Sequence, residues 1–256
     1  MARAKPIEVE DVEIIDAPSL RTVYSPKRTV VQPLFKVPRG LKLDTPQAMD
    51  GLVMLKQLAD DSVPLVFFDP QYRTILDRQQ YGNEGERQRK RSELAQMDEL
   101  CIRRFLTEIE RALIPSGHLM LWVDKFILCS GIRSSLLDGC GLQLVDMITW
   151  NKERMGMGYR SRRFAEHLVI LQKTPTRAKG VWKVHDIPDV WSEKIIERNH
   201  THAKPIKLQE RLIEAVTNEG DVIVDPASGG YSVMRSAMRT GRHFLGCDLL
   251  EFNGTY

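Results

Sequence analysis

Six residues without a single polar side chain, Val63-Pro-Leu-Val-Phe-Phe68, end abruptly at Asp69-Pro70. A run this short and this apolar suits a buried strand. Its surroundings repeat the theme. A helical stretch is expected near 48–60, carried by Met49, Leu52, Leu55 and Leu58 or Ala59, ahead of the strand. A second is expected from Ser92 to Leu113, where Leu94, Met97, Leu100, Phe105, Ile109 and Leu113 keep roughly helical spacing. Pro115-Ser-Gly117 is read as its break, and His118-Leu-Met-Leu-Trp-Val123 as the next strand. Further strands are expected at 142–150 and 166–172.

The C-terminal quarter has the same rhythm. Pro205 suits the first position of a helix carrying Ile206, Leu208, Leu212, Ile213 and Val216, which Gly220 stops. Val222-Ile-Val224 is a strand, a helix follows to about Thr240, and His243-Phe-Leu-Gly-Cys247 is another strand. Strands alternating with helices imply an α/β fold with a mostly parallel sheet and helices on both faces. The first 45 residues are different. They hold Pro6, Pro18, Pro26, Pro33 and Pro38, a density that opposes long helices and central strands. The expected organisation is a Pro-rich arm over 1–45 and one domain over 46–256.

Composition limits the partners. Lys and Arg number 37 against 34 Asp and Glu in 256 residues, a formal charge of +3, which excludes a histone-like polycation and an acidic disordered chain. A nucleic-acid partner stays open, because charge is unevenly spread. Residues 73–91 carry Arg73, Arg78, Arg87, Arg89, Lys90 and Arg91 against three acidic residues. Residues 152–163 carry Lys152, Arg154, Arg160, Arg162 and Arg163 against Glu153 alone. Either run is a solvated face or a phosphate-binding loop. Cys101, Cys129, Cys140 and Cys247 are scattered, without a C-x-x-C pair, so reduced cysteines and no metal site are expected. With no apolar stretch near the ~18 residues of a membrane span, a soluble cytoplasmic protein with no membrane contact is expected.

Three segments carry chemistry. Asp69-Pro70-Gln71-Tyr72 directly follows a strand, where open α/β folds bind ligands. The Asp69 carboxylate and the Pro70 carbonyl are acceptors suited to a ligand amine, and Tyr72 offers a flat face; the plainer reading is a strand end. Asp225-Pro226-Ala227-Ser228-Gly229-Gly230 also follows a strand and opens a helix, so its glycines permit a ligand close to the backbone. Asp248 ends the next strand 23 residues later, about where nucleotide-binding folds place a carboxylate for ribose hydroxyls. The third is His202-Ala-Lys204-Pro205, ahead of a helix. Gly156-Met-Gly-Tyr-Arg-Ser161 lacks the third glycine of a nucleotide fingerprint and is read as a polar loop.

In chain order the three segments resemble the permuted, β-class amino-methyltransferases of DNA, the N4/N6 DNA methylases. Their D-P-P-Y motif precedes an H-x-x-K-P segment and then a D-P-F-x-G-x-G loop. Asp50 to Val66, Arg111 to Leu119, Trp150 to Lys152 and Glu166 to Lys173 resemble other parts of that family, so the resemblance covers roughly 48–173 and 200–249. Gln71 departs from its second proline, Ala227 from its phenylalanine and Tyr231 from its last glycine, and His202 stands one residue closer to Lys204.

The resemblance implies a Rossmann-like methyltransferase fold, S-adenosylmethionine as cofactor, double-stranded DNA as substrate, no metal, and a homodimer. It implies that Asp69, Pro70 and Tyr72 are catalytic, receiving an adenine flipped from the duplex, with N6 as the methyl acceptor. Asp50 and Asp248 would contact the cofactor's adenosine, Lys204 with Pro205 its carboxylate, and Asp225, Pro226, Ala227, Ser228, Gly229 and Gly230 its methionine part. DNA contacts would come from loops near 73–92 and 152–199, through Arg73, Arg87, Arg89, Lys90, Arg91, Lys152, Arg154, Arg160, Arg162 and Arg163. Cytosine N4 is the alternative acceptor, and the departures leave a non-catalytic DNA-binding homologue as the other alternative.

Overall fold

The fold is built around the strand Val63–Phe68 (β3), all six of whose residues are buried. Its side chains alternate between two cores, as a pleated strand requires. Val66 and Phe68 join a cluster with Met54, Leu55, Ile102, Phe105 and Ile109. Leu65 and Phe67 join one with Leu208, Leu212, Val233 and Met234. The computed structural model describes residues 20–25, 28–31, 35–72, 96–156, 161–195 and 203–251.

The first core is covered by α1 (Gly51–Lys56) and α2 (Glu99–Ala112), the second by α5 (Ile206–Val216) and α6 (Ser232–Arg239). Between them lies a seven-stranded sheet. Its other members are β4 (Leu113–Val123), β5 (Leu142–Asn151), β6 (Ala165–Lys173), β7 (Val190–Ser192), β8 (Val222–Asp225) and β9 (His243–Gly246). The order is β7-β5-β6-β4-β3-β8-β9, and only β6 runs against its neighbours. This is the expected α/β architecture, a mostly parallel sheet with helices on both faces. Two further short helices, α3 (Lys125–Ser130) and α4 (Ile132–Ser135), follow β4.

Helix starts are set by carboxylates. Asp50 Oδ1 accepts from the backbone N–H groups of Leu52 and Val53 at 2.7 and 3.1 Å, and Asp98 caps α2 through Cys101 at 2.7 Å. The helix expected over 48–60 is therefore shorter, and Pro205 caps α5 instead of standing inside it. One expectation is corrected. Pro115-Ser-Gly117 does not separate α2 from its strand: β4 begins at Leu113 and runs through it. Ser116 adopts φ 62°, and the pairing with β3 shifts between Val63 and Leu65, so the segment is an irregularity inside one strand.

Of the expected arm, β1 (Leu20–Ser25) and β2 (Arg28–Val31) pair antiparallel with each other. Phe35, Leu41 and Leu43 pack on the first core. Asp44 exchanges backbone and side-chain hydrogen bonds with Phe244 on β9. Neither the hairpin, nor β7, nor the short helices α3 and α4 were expected from sequence.

Two glycines allow backbones to meet where the site forms. A Cβ on Gly51 would lie 2.0 Å from the Pro226 carbonyl oxygen, and one on Gly246 would lie 2.5 Å from that of Asp225. Gly51→Ala is expected to push α1 off the 225–230 loop and destabilise the fold by about 1–3 kcal/mol. An unchanged urea midpoint would show that α1 does not bear on that loop.

Candidate active site

β3 continues through α2 to β4 on one side of the sheet, and β8 continues through α6 to β9 on the other. The crevice between the carboxyl ends of β3 and β8 is thus a switch point, where α/β folds bind ligands. Asp69 follows β3 and Asp225 ends β8, so both open onto it.

The cofactor residues expected from sequence come together here. Chain 47–49 runs beside Asp248: the Asp248 N–H donates to the Gln47 carbonyl at 3.0 Å, and the Met49 N–H to the Asp248 carbonyl at 2.9 Å. Asp50 and α1 are thereby set against the 225–230 loop. Asp248 Oδ2 accepts from the Gly229 N–H at 2.9 Å. Asp225 Oδ1 accepts from the Ala227 N–H at 3.1 Å, and the Ser228 hydroxyl donates to the Asp225 carbonyl at 2.8 Å.

Tyr231 explains one departure from the family pattern. It adopts φ 54°, the left-handed conformation that the expected glycine takes without cost. A tyrosine there carries strain of order 1 kcal/mol or more. Its ring is buried edge-on against Phe244, and its hydroxyl donates to the Gln47 carbonyl at 3.2 Å, which anchors it. The substitution thus ties the 225–231 loop to the 47–50 segment.

At the carboxyl end of β3, Lys204 Nζ lies 2.9 Å from Asp69 Oδ2 and 2.8 Å from Glu166 Oε2, with the Trp122 ring centroid at 4.5 Å. Burial disfavours the Lys204 charge, but Asp69 and then Glu166 outweigh it and hold the ammonium above the ordinary lysine range. Glu166 also meets Lys152 at 3.3 Å. Burial would raise its carboxyl, yet Lys204 and Lys152 hold it down at about 2. Sequence reasoning did not single out Glu166 as a site residue. Tyr72 is 8% exposed, and its hydroxyl donates to the Trp122 carbonyl at 2.8 Å. Its pKa is driven well above the usual tyrosine value by burial, then by Asp69 and Asp124.

His202 lies outside the described residues, as do Arg73, Arg87, Arg89, Lys90, Arg91 and Arg160. Of the other basic candidates, Lys152 is engaged by Glu166 and Arg163 by Asp124 at 3.8 Å. Arg154 and Arg162 are exposed, the latter donating through Nε to the Gly156 carbonyl. Among the described residues, no helix is long and apolar enough to cross a membrane, and no group of three His, Cys, Asp or Glu is placed to hold a metal.

Residues 63–253 match the family model of the N6/N4 DNA methylases. The chain is 51% identical over 203 residues to the type II methyltransferase M.HhaII of Haemophilus parahaemolyticus, covering 79% of this chain and 89% of that protein. It is 25% identical over 225 residues to the type II methyltransferase M2.DpnII of Streptococcus pneumoniae, covering 78% and 82%. The fold is shared with the cytosine-N4-specific PvuII DNA methyltransferase, at a TM-score of 0.61 and 18% identity over 82% of this chain and 86% of that one. It is shared too with M1.HpyAVI in complex with S-adenosylmethionine, at 0.56 and 17% over 81% and 94%. The chain belongs to the N6/N4 DNA methylase family, whose cofactor is S-adenosylmethionine.

The residues present fit that cofactor. Burial raises the Asp225 carboxyl to about 8; the Ala227 N–H opposes this, while Asp69 and Asp248 add to it. A site where carboxylates crowd one another suits a ligand bearing a sulfonium and an ammonium. The same crowding sets a pH dependence. The folded chain keeps the Asp225 proton at pH values where the unfolded chain has lost it, so stability falls as pH rises from about 4 toward 8. The expected slope is up to about 1.4 kcal/mol per pH unit. Asp225→Asn should flatten it in urea denaturation of the cofactor-free protein; an unchanged slope would place the proton elsewhere.

Proposed function

We propose that the chain methylates the N6 amine of an adenine flipped out of double-stranded DNA. The observation that carries this reading is the placement of Asp69 at the switch point, beside the 225–230 loop, in the D-P-x-Y form that the resemblance associates with adenine. An exocyclic amine is a weak nucleophile because its lone pair is delocalised into the ring. Asp69 and the Pro70 carbonyl would accept its two N–H bonds, turning the lone pair toward the donor. When bound, S-adenosylmethionine supplies an electrophilic methyl group on sulfur. Positive charge growing on the amine nitrogen would be stabilised by the fixed Asp69 carboxylate, which also lies on the path of the proton that nitrogen must lose.

The remaining roles follow from position. Asp248 and Asp50 flank the loop where the adenosine would lie, and the loop itself would receive the methionine part. Lys204 donates toward Asp69 and Glu166, and an ammonium has a third N–H for the cofactor's carboxylate. Tyr72 would serve as a fixed wall of the base pocket, since its hydroxyl is tied to Trp122. Extrusion of the base is needed because its amine is out of reach inside a duplex. Arg154 and Arg162 are the described candidates for phosphate contact.

Cytosine N4 is the second reading, favoured by the fold shared with the cytosine-N4-specific PvuII enzyme. Both amines need the same acceptor pair. Asp69→Ala is expected to reduce methyl transfer by at least about a thousandfold while leaving cofactor affinity within about threefold, by calorimetry. Near-normal transfer in that variant would refute the role of Asp69. DNA affinity should fall steeply between low and physiological salt. A dissociation constant independent of salt would contradict phosphate contact.

A further inference from the structure

β6 is the reversed strand, so its beginning lies at the edge of the sheet where its neighbours end. His167 pairs with Val123 and Leu168 with Trp122, which carries Glu166 past the end of β4 toward the catalytic edge. There a line of alternating charge forms: Asp69, Lys204, Glu166 and Lys152, with successive contacts of 2.9, 2.8 and 3.3 Å. Asp69 and Lys204 have roles in methyl transfer as proposed above. Glu166 has none.

The physical difficulty lies with Lys204. Its side chain is 12% exposed, so its charge cannot be left to water. If Asp69 were its sole protein carboxylate, an arriving amine would have to displace the ammonium and leave a buried cation held by the cofactor's carboxylate alone, which is costly. A second carboxylate removes that obstacle. We propose that Glu166 is a positioning residue that anchors the Lys204 ammonium, so that Asp69 exchanges the ammonium for the target amine while Lys204 stays paired. Lys152 acts as the outer brace that keeps Glu166 ionised and in place. This inference rests on the reading of Asp69 as acceptor of the target amine.

The titratable groups facing Lys204 are Asp69 beyond β3, Glu166 on β6 and Asp225, which keeps its proton, at the end of β8, with the Trp122 ring of β4 against it; Lys152 reaches it through Glu166. Burial opposes the Lys204 charge, and the nearby carboxylates restore it. Removing one of them should let the ammonium titrate at lower pH.

The test compares wild type with Glu166→Gln, which keeps shape and loses charge. At saturating DNA and cofactor, kcat is expected to fall about tenfold or more, with cofactor affinity by calorimetry changed less than about threefold. Glu166→Asp, which keeps a carboxylate, is expected to recover most of the lost kcat. Wild-type kcat in the folded Glu166→Gln variant, or an equal loss in Glu166→Asp, would overturn the inference, as would a loss confined to cofactor affinity.

If Glu166→Gln does not fold, Lys152→Met carries the test. The Glu166 carboxyl, followed by carbon-13 NMR, should then rise from about 2, and the acid limb of kcat should rise with it. A carboxyl that rises while the acid limb stays would overturn the inference. A wild-type chain without methyl transfer would contradict the proposed function; an active wild type with an unaffected Glu166→Gln contradicts this inference alone.

Discussion

The parallel pairing of β3 with β8, Leu65 beside Ile223 and Val66 beside Val224, is the constraint on which the rest depends. The two strands lie far apart in the chain and carry different chemistry at their ends. Pairing them sets the Asp69 segment beside the Asp225–Gly230 loop. Both strands are buried throughout, so register is fixed by apolar packing on two faces.

Charge is the second consequence. Closing the crevice brings carboxylates together faster than cations. Burial, helped by Asp69 and Asp248, lets Asp225 keep its proton, and Lys204 binds two carboxylates at once. The ionised carboxylates of such an arrangement suit a cationic ligand. Gly51 and Gly246 serve the same end, letting α1 and β9 approach the loop that a Cβ would push away.

Much of this was legible in sequence. The strand 63–68, the α5–β8–α6–β9 unit and the motifs at strand ends follow from apolar runs and from where acids interrupt them. Asp50, Asp225, Gly229 and Asp248 are local in their signals, and the fold brings their segments together. Pro115 misled because a proline and a glycine normally stop an element, whereas the sheet here tolerates them as an irregularity within β4. Glu166 was not legible as a site residue: it stands just ahead of the apolar run Leu168–Leu171, where one acid resembles any polar residue at a strand start. Its significance comes from the reversal of β6, a property of topology. Tyr231 read as a defect in the glycine loop, until the structure showed its hydroxyl tied to Gln47.

The most direct measurement is nucleoside mass spectrometry of duplex DNA incubated with the protein and isotopically labelled S-adenosylmethionine. Label in N6-methyladenine is the expected result. Label in N4-methylcytosine would keep the site and overturn the choice of base. Cofactor and DNA both bound, with no label in any base, would contradict the catalytic assignment of the crevice between β3 and β8.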